Sequence, residues 1–398
     1  MELSQLMNHY ANFLLRLGVN LQPFQGLHIW APAEVAPFIR ILCKISYQMN
    51  ASNVIVSYFD SGILQARMKY GQPAYLQPYP EEEGQLQVAL AKKGYAFLKL
   101  NRFEAINYQM IDEQKIHLAQ DYMDSFSGMK FFTHAGKLQS VSAVVPTIAW
   151  AMQVYPKESA EKAIASLWND LKIICKLDQN YLGYWTRRLQ DLEERRNAWN
   201  QQQFDYLHFK GSSCDLKVDL IDQHVWIGGL QEANGIAYLP NIPTEELFCA
   251  NQKYGIHGAF SITKPFIFQS SVIQDLHFEV DDGKITSLTS NQDIASFRAF
   301  IQEKDSRQYF GEIAFVDNQS SLYQHGVTFG CTLLDENATC HIALGNSYQV
   351  NAKQFNGNKA EHQMNESDIH IDLMFGCDDI EVYGCKCEEK SVVYSSSV

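Results

Sequence analysis

Leu3, Leu6, Met7, Tyr10, Phe13, Leu14 and Leu17 recur at spacings of three and four, so the chain opens with an amphipathic helix that Gly18 can end. After a turn at Pro23 the pattern changes to an apolar run over residues 27–31, a helical stretch over 33–49 and a second apolar run over 54–59. A proline-rich excursion over 73–80 leads into a helix whose Glu81, Glu82 and Glu83 lie near its positive end, and residues 95–100 supply another strand. Strands alternating with helices in this way predict a mostly parallel sheet flanked by helices.

Helical periodicity continues over 111–129, 157–177 and 181–203, the last stretch rich in Arg and Glu and read as solvated. From Phe209 the texture changes to short segments, such as 216–220, 225–227 and 277–280, separated by turn signals that include Asp282-Gly283. The expected fold class is α/β, with an amino-terminal α/β scaffold domain over 1–203 followed by a β-rich α+β domain over 204–398. Residues after Glu388 read as loose.

The length of 398 residues exceeds what one core usually supports, in keeping with two domains. A hydrophobic fraction of 46% against 19% charged residues gives a folded chain rather than a disordered one. The net charge of -13, with no run of Lys or Arg longer than a pair, argues against a nucleic-acid partner. Asn8, His9 and Asn12 interrupt the first apolar stripe, so no secretory signal is expected, and no apolar stretch is long enough to suggest a membrane partner. Nine scattered cysteines fit reduced thiols, and cytoplasmic residence is the expectation.

Acids and histidines concentrate in four segments of the second half: 243–248 with Glu246, 311–314 with Glu312, 335–341 with Glu336 and His341, and 370–372 with His370 and Asp372. None contains the zinc motif His-Glu-x-x-His. His370 and Asp372 alternate in an apolar run and so share one strand face, which suits a metal but equally suits an aspartate fixing the tautomer of a structural histidine. Glu336 and His341 lie five positions apart, about 140° on an ideal helix, so they converge only if Glu336 precedes a helix capped by Asp335 or Asn337. On such a helix His341 and Tyr348 share a face, unless Gly345 ends it first. Taken alone, Glu312 reads as an edge-strand surface acid, and Glu246, after Pro243-Thr244-Glu245, as part of a helix entry or turn.

Together, the strings Asn241-Ile-Pro-Thr-Glu-Glu-Leu-Phe248, Ile262-Thr-Lys-Pro265, Gly311-Glu-Ile-Ala314, Asp335-Glu-Asn-Ala-x-x-His341-x-Ala-Leu-Gly-x-x-Tyr348 and His370-x-Asp372 are similar to the signatures of the thermophilic-type metallo-aminopeptidases, the group that includes aminopeptidases T and S. The likeness extends to Gly18-Val-Asn-Leu-Gln-Pro23 and to the segment from Pro146 to Ala151, and so covers nearly the whole chain. It implies two divalent metal ions about 3.5 to 4 Å apart, held by Glu246, Glu312, Glu336, His341, His370 and Asp372. Zinc, cobalt, manganese or magnesium would suit such a set. It further implies peptide substrates with a free amino terminus and a homodimer. In the mechanism so implied, Glu312 bridges the metals and is the first candidate for proton transfer, and Tyr348 donates to the oxyanion. Two departures stand out: Cys249-Ala250-Asn251 replaces the family's common Thr-Ala-Pro, and Cys340 replaces a small residue and reads as buried packing.

Three other classes compete. A cysteine peptidase using Cys340 or Cys249 lacks a local nucleophile signature, and adjacent Cys340-His341 points the two side chains apart. A nucleotide-binding enzyme would need a Gly-x-Gly-x-x-Gly or Walker loop, and neither is present. A metal-binding dimeric scaffold, or a related amidohydrolase, would bind metal without turning over aminoacyl substrates.

Overall fold

In the computed structural model, residues 1–76, 81–101, 115, 137–178, 180–268, 271–387 and 389–396 are described. The chain forms two compact units, Met1–Tyr184 with Leu230–Ile242, and Trp185–Gly229 with Pro243–Val398. The chain therefore passes between units three times, where the sequence reading placed one boundary near residue 204. Two local causes account for this. The long helix Tyr181–Gln202 buries Trp185, Leu189, Leu192 and Trp199, and Trp199 packs on Trp226 and Phe315 of the second unit at 4.7 and 5.1 Å between ring centroids. Asn241–Ile242 returns to the first unit because it adds a parallel strand beside Ser140–Val144.

The first unit holds a five-stranded sheet in the order Asn53–Phe59, Gly26–Pro32, Ala96–Asn101, Ser140–Val144, Asn241–Ile242, with every pairing parallel. The opening helix, Leu3–Phe13, continues as a π-turn over Leu14–Gly18 and buries Leu6, Tyr10, Ala11 and Phe13. Tyr10 stacks on Phe38 at 5.7 Å and donates its hydroxyl to the Val144 carbonyl at 2.8 Å, which ties the helix to the sheet. Helices Ala36–Gln48 and Ala160–Ile174 match their expected stretches. Ser61–Tyr70 is a helix the hydrophobic pattern did not reveal, because it buries only Met68. The helix expected over 111–129 lies outside the described residues.

The second unit is built from antiparallel sheets. Seven strands run in the order Lys284–Thr289, His277–Asp281, Asn251–Ser261, Cys214–Leu220, Tyr206–Gly211, Glu381–Lys386, Glu389–Ser395. Asp282 and Gly283, both at positive φ (45° and 70°), turn the first hairpin of this series, as that dipeptide requires. Glu389–Ser395 is paired with Glu381–Lys386, so residues 389–395 are not loose: backbone pairing holds them although they are mostly polar. Residues 225–227 form no strand: Ile227 makes an isolated bridge to Phe248, and the Val225 amide donates to the Asn351 carbonyl at 2.7 Å. A four-stranded sheet runs Leu247–Cys249, Phe310–Phe315, His341–Gly345, His370–Met374. Phe260 stacks on Phe278 at 4.8 Å and meets Phe310 and Phe375 at 5.9 and 5.7 Å, so one aromatic cluster joins the two sheets and fixes the smaller one. Among the described residues, no helix is long and apolar enough to cross a membrane.

Candidate metal centre

The four-stranded sheet sets the site by register. Phe310 pairs with Leu344 while Glu312 pairs with Ala343, so Gly311 is an extra residue in a bulge that aims Glu312. A Cβ at Gly311 would fall 2.5 Å from the Asn346 carbonyl carbon, which explains why glycine stands there. Residues directly opposite in neighbouring strands point to one face, so the pairs Glu312↔Ala343↔Asp372, Ala314↔His341 and Gly345↔His370 put Glu312, His341, His370 and Asp372 on that face. Ala343 sits between Glu312 and Asp372 with only a methyl group. It leaves room where the carboxylates converge.

The atoms meet in that space. His341 Nε2 lies 3.3 Å from Glu246 Oε2 and 3.7 Å from Glu312 Oε1, and His370 Nε2 lies 3.3 Å from Asp372 Oδ1 and 3.9 Å from Glu312 Oε2. Ligand atoms of Glu312, His370 and Asp372 all fall within 4.8 Å of one another. Each histidine turns its other nitrogen to a backbone carbonyl: His370 Nδ1 donates to Asn346 O at 2.9 Å, and His341 Nδ1 to Thr339 O at 3.4 Å. Such carbonyls fix the tautomer that leaves Nε2 free to ligate. Glu336, on a short 3-10 turn over Glu336–Ala338, adds its charge to the same group of carboxylates. The Tyr348 ring leans on His370 at 4.6 Å.

The electrostatics ask for a cation. Four carboxylates face two imidazoles, and among the described residues no Lys or Arg pairs with any of the four. Glu246 and Glu312 are only 7% and 4% exposed, His341 1%, and Glu312 Oε2 is buried without a hydrogen-bond partner. Burial, and then the neighbouring carboxylates, push Glu246 up to about 7 and Glu336 well above its ordinary value. Burial opposes charge on His341 and His370, but their carboxylate partners outweigh it and raise both to about 9. For Asp372, burial is likewise outweighed by its hydrogen bond from His370, which lowers its pKa. Buried acids in such excess are stable only when protonated or coordinated. The mixture of oxygen and imidazole donors fits a divalent cation of the zinc, cobalt or manganese type. Ala343→Leu is therefore expected to fill the space and reduce bound metal at least tenfold, as read by elemental analysis of the folded variant. Undiminished metal would show that the space above Ala343 is not where the cation sits.

Behind the site lies a network absent from the sequence reading. Arg188 donates through Nε to Glu245 Oε2 at 2.7 Å and through both terminal nitrogens to Asp317 at 3.0 and 2.7 Å, while Arg195 reaches Asp317 at 2.8 Å. Arg188 is thus buried, not solvated like its helix. Glu245 Oε1 also accepts from the Ser321 amide and hydroxyl, each at 2.7 Å, and the Glu245 amide donates to Asn337 Oδ1 at 2.6 Å. Glu245 and Asn337 are the chain neighbours of Glu246 and Glu336, so the network holds the backbone from which those two acids project. A Cβ on Gly228, at φ 150°, would lie 2.1 Å from the Glu246 carbonyl oxygen, so the same backbone is pinned from a further side.

The expected helix carrying His341 does not exist. Thr339 is extended (φ -164°, ψ 167°) and ends the turn after Glu336, and His341–Gly345 is a fully buried interior strand. His341 and Tyr348 approach the site from a strand and from the loop after it, not from one helical face. Neither Asp335 nor Asn337 caps a helix: the Asp335 carboxylate accepts the amides of Phe329 and Cys331 at 2.9 and 3.0 Å, and Asn337 serves Glu245. Glu312 lies on an interior strand, paired on both sides, and not at a sheet edge. Glu246 sits in the loop before Leu247–Cys249. Cys340 is fully buried with its thiol on the Val316 carbonyl at 3.4 Å. Where the family commonly has proline, Asn251 is buried and donates to the Phe310 carbonyl at 3.0 Å.

The chain is similar to known proteins along nearly its whole length. The thermophilic metalloprotease (M29) family profile matches residues 3–396. Aminopeptidase AmpS of Bacillus subtilis (strain 168) is 30% identical over 400 residues, covering 97% of this chain and 96% of that protein. Aminopeptidase 2 of Geobacillus stearothermophilus is 29% identical over 387 residues, covering 95% and 93%. The solved structure of wild-type AmpT from Thermus thermophilus superimposes with a TM-score of 0.91 at 24% identity, covering 99% of both chains, which establishes the fold.

Proposed function

The chain belongs to the thermophilic metalloprotease family, M29, and from that premise we propose that it is a metallo-aminopeptidase that removes the first residue of peptides at a site for two divalent cations. The observation that carries the reading is the buried cluster in which four carboxylates face only two imidazoles and, among the described residues, no Lys or Arg pairs with any of the four. Glu246, Glu312, Glu336, His341, His370 and Asp372 would hold the ions. The two Glu312 oxygens face different histidines, which supports a bridging position. Bound there, the ions would bring the pKa of a water toward neutrality and polarise the first peptide carbonyl.

The chain's own groups do the rest. A carboxylate of the cluster that the ions do not fully engage, with Glu312 the first candidate, would accept the attacking water's proton and return it to the leaving amine. A free amino group can meet a carboxylate of the cluster, which favours a free amino terminus over an acylated one. Tyr348 is 41% exposed as a residue, yet burial of its phenol and then the charges of Glu312 and Asp372 push its pKa up, so it remains an O–H donor. In this reading it would donate to the developing oxyanion.

The test is removal of metal with a chelator, restoration with zinc, cobalt, manganese or magnesium, and comparison of Leu-peptides with their N-acetyl forms. Activity is expected to vanish, to return with metal, and to be confined to free amines. Turnover that persists after verified metal removal would sink the reading, and metal binding without any turnover would leave only a scaffold. For Tyr348→Phe, kcat is expected to fall about a hundredfold with metal content intact. Wild-type kcat in that variant would remove Tyr348 from the mechanism.

A further inference from the structure

We propose that a pocket beside the His370–Met374 strand receives the side chain of the peptide's first residue, with Ile267 and Thr332 setting its size; the assignment rests on the function proposed above. The pocket has a volume of about 190 Å³, and His370 and Asp372 form part of its wall together with Phe266, Ile267, Thr332 and Met374. Two residues of the candidate metal centre thus face both the reacting bond and the pocket. Of a peptide's side chains, the first residue's Cβ is two bonds from the scissile carbon, whereas the second residue's is three bonds away across the leaving nitrogen. A pocket that shares its wall with the metal ligands is within reach of the nearer one.

Volume and charge define what enters. A cavity of about 150 Å³ takes a benzene molecule, so this one has room for a branched aliphatic chain or a single ring and not for an indole. Of the two acids in its lining, Asp372 belongs to the candidate metal centre and Asp335 is already engaged by the amides of Phe329 and Cys331, and the half-buried Lys264 adds a positive charge nearby. No free carboxylate therefore awaits a basic side chain. Phe266, Ile267 and Met374 offer apolar surface instead.

Two series of dipeptides test this on the metal-loaded protein, one varying the first residue (Leu-Gly, Gly-Gly, Trp-Gly) and one varying the second (Leu-Gly, Leu-Leu). Calorimetric binding of free L-leucine and glycine gives a readout independent of turnover. The ratio of kcat/KM for Leu-Gly over Gly-Gly is expected to be at least about tenfold in the wild type and to collapse in Thr332→Phe. Trp-Gly should gain at least about tenfold on Leu-Gly in Ile267→Ala. Ratios within one variant cancel any loss of folded enzyme. The pocket assignment is overturned if the variants shift the second-residue series instead, or if leucine is not favoured over glycine in either assay. If leucine binds more tightly than glycine, loses that advantage in Thr332→Phe, and yet no dipeptide is hydrolysed, the pocket stands and the proposed function falls.

Discussion

Glu312→Gln is expected to lower kcat by at least about a thousandfold, within the range a general base contributes, while leaving the fold intact. Glutamine matches the shape of glutamate, so the bulge at Gly311 and the pairing with Ala343 remain possible. It cannot accept a proton, and its amide nitrogen cannot ligate as the lost oxygen would. In the metal-free variant the lost contacts to His341 and His370 oppose the relief of like-charge repulsion, so its melting temperature should stay close to that of the wild type. Glu312 is one of the charges that raise Glu246 and Glu336, and removing it relieves like-charge repulsion in a buried site. Kinetics, elemental analysis and thermal melting of metal-free and metal-loaded protein would separate these effects. A variant that kept a tenth of wild-type kcat would show that another group moves the proton.

How much of this was legible from sequence differs residue by residue. The face shared by His370 and Asp372 could be read because a strand's side chains alternate with period two, and the strand His370–Met374 bears it out. Glu312 could not be placed, because its depth follows from pairing with both Leu247–Cys249 and His341–Gly345. Those partners are set by long-range register, which leaves no local trace. The strand of His341 misled for a related reason. An interior strand buried on both faces is a short apolar run without alternation, and periodicity alone cannot tell it from a buried helix. In the first unit, by contrast, three of the five parallel strands, Gly26–Pro32, Asn53–Phe59 and Ala96–Asn101, match the expected apolar runs, whereas Ser140–Val144 and Asn241–Ile242 have no counterpart in the sequence pattern.

Arg188 shows the remaining limit and gives the second large effect. Its helix is polar and its partners Glu245 and Asp317 lie 57 and 129 residues away, so nothing near it in sequence marks it as buried. Arg188→Ala leaves both acids in the interior with only Arg195 beside Asp317, and a buried pair broken on one side costs about 3 to 5 kcal/mol. The pH dependence fixes the cause. In the wild type, burial acts to raise Asp317, but the hydrogen bonds and charges of Arg188 and Arg195 outweigh it and hold the pKa below its ordinary value. That group therefore adds stability above its unfolded pKa, and the contribution is lost as pH falls through the folded one. Glu245 is raised by burial even with Arg188 present, so its ionisation already costs stability once pH exceeds the unfolded pKa. Without Arg188 both acids would be raised, and protonation would relieve them. The stability deficit of Arg188→Ala should accordingly be largest near neutral pH and shrink toward about pH 4, where carboxylates normally protonate. Metal affinity should fall with it, because the Glu245 amide and Asn337 tie this network to the backbone of Glu246 and Glu336. Denaturant unfolding at both pH values, with metal titrations at neutral pH, would measure both effects. A deficit below about 1 kcal/mol, or one that does not change with pH, would show that Arg188 is not compensating buried charge.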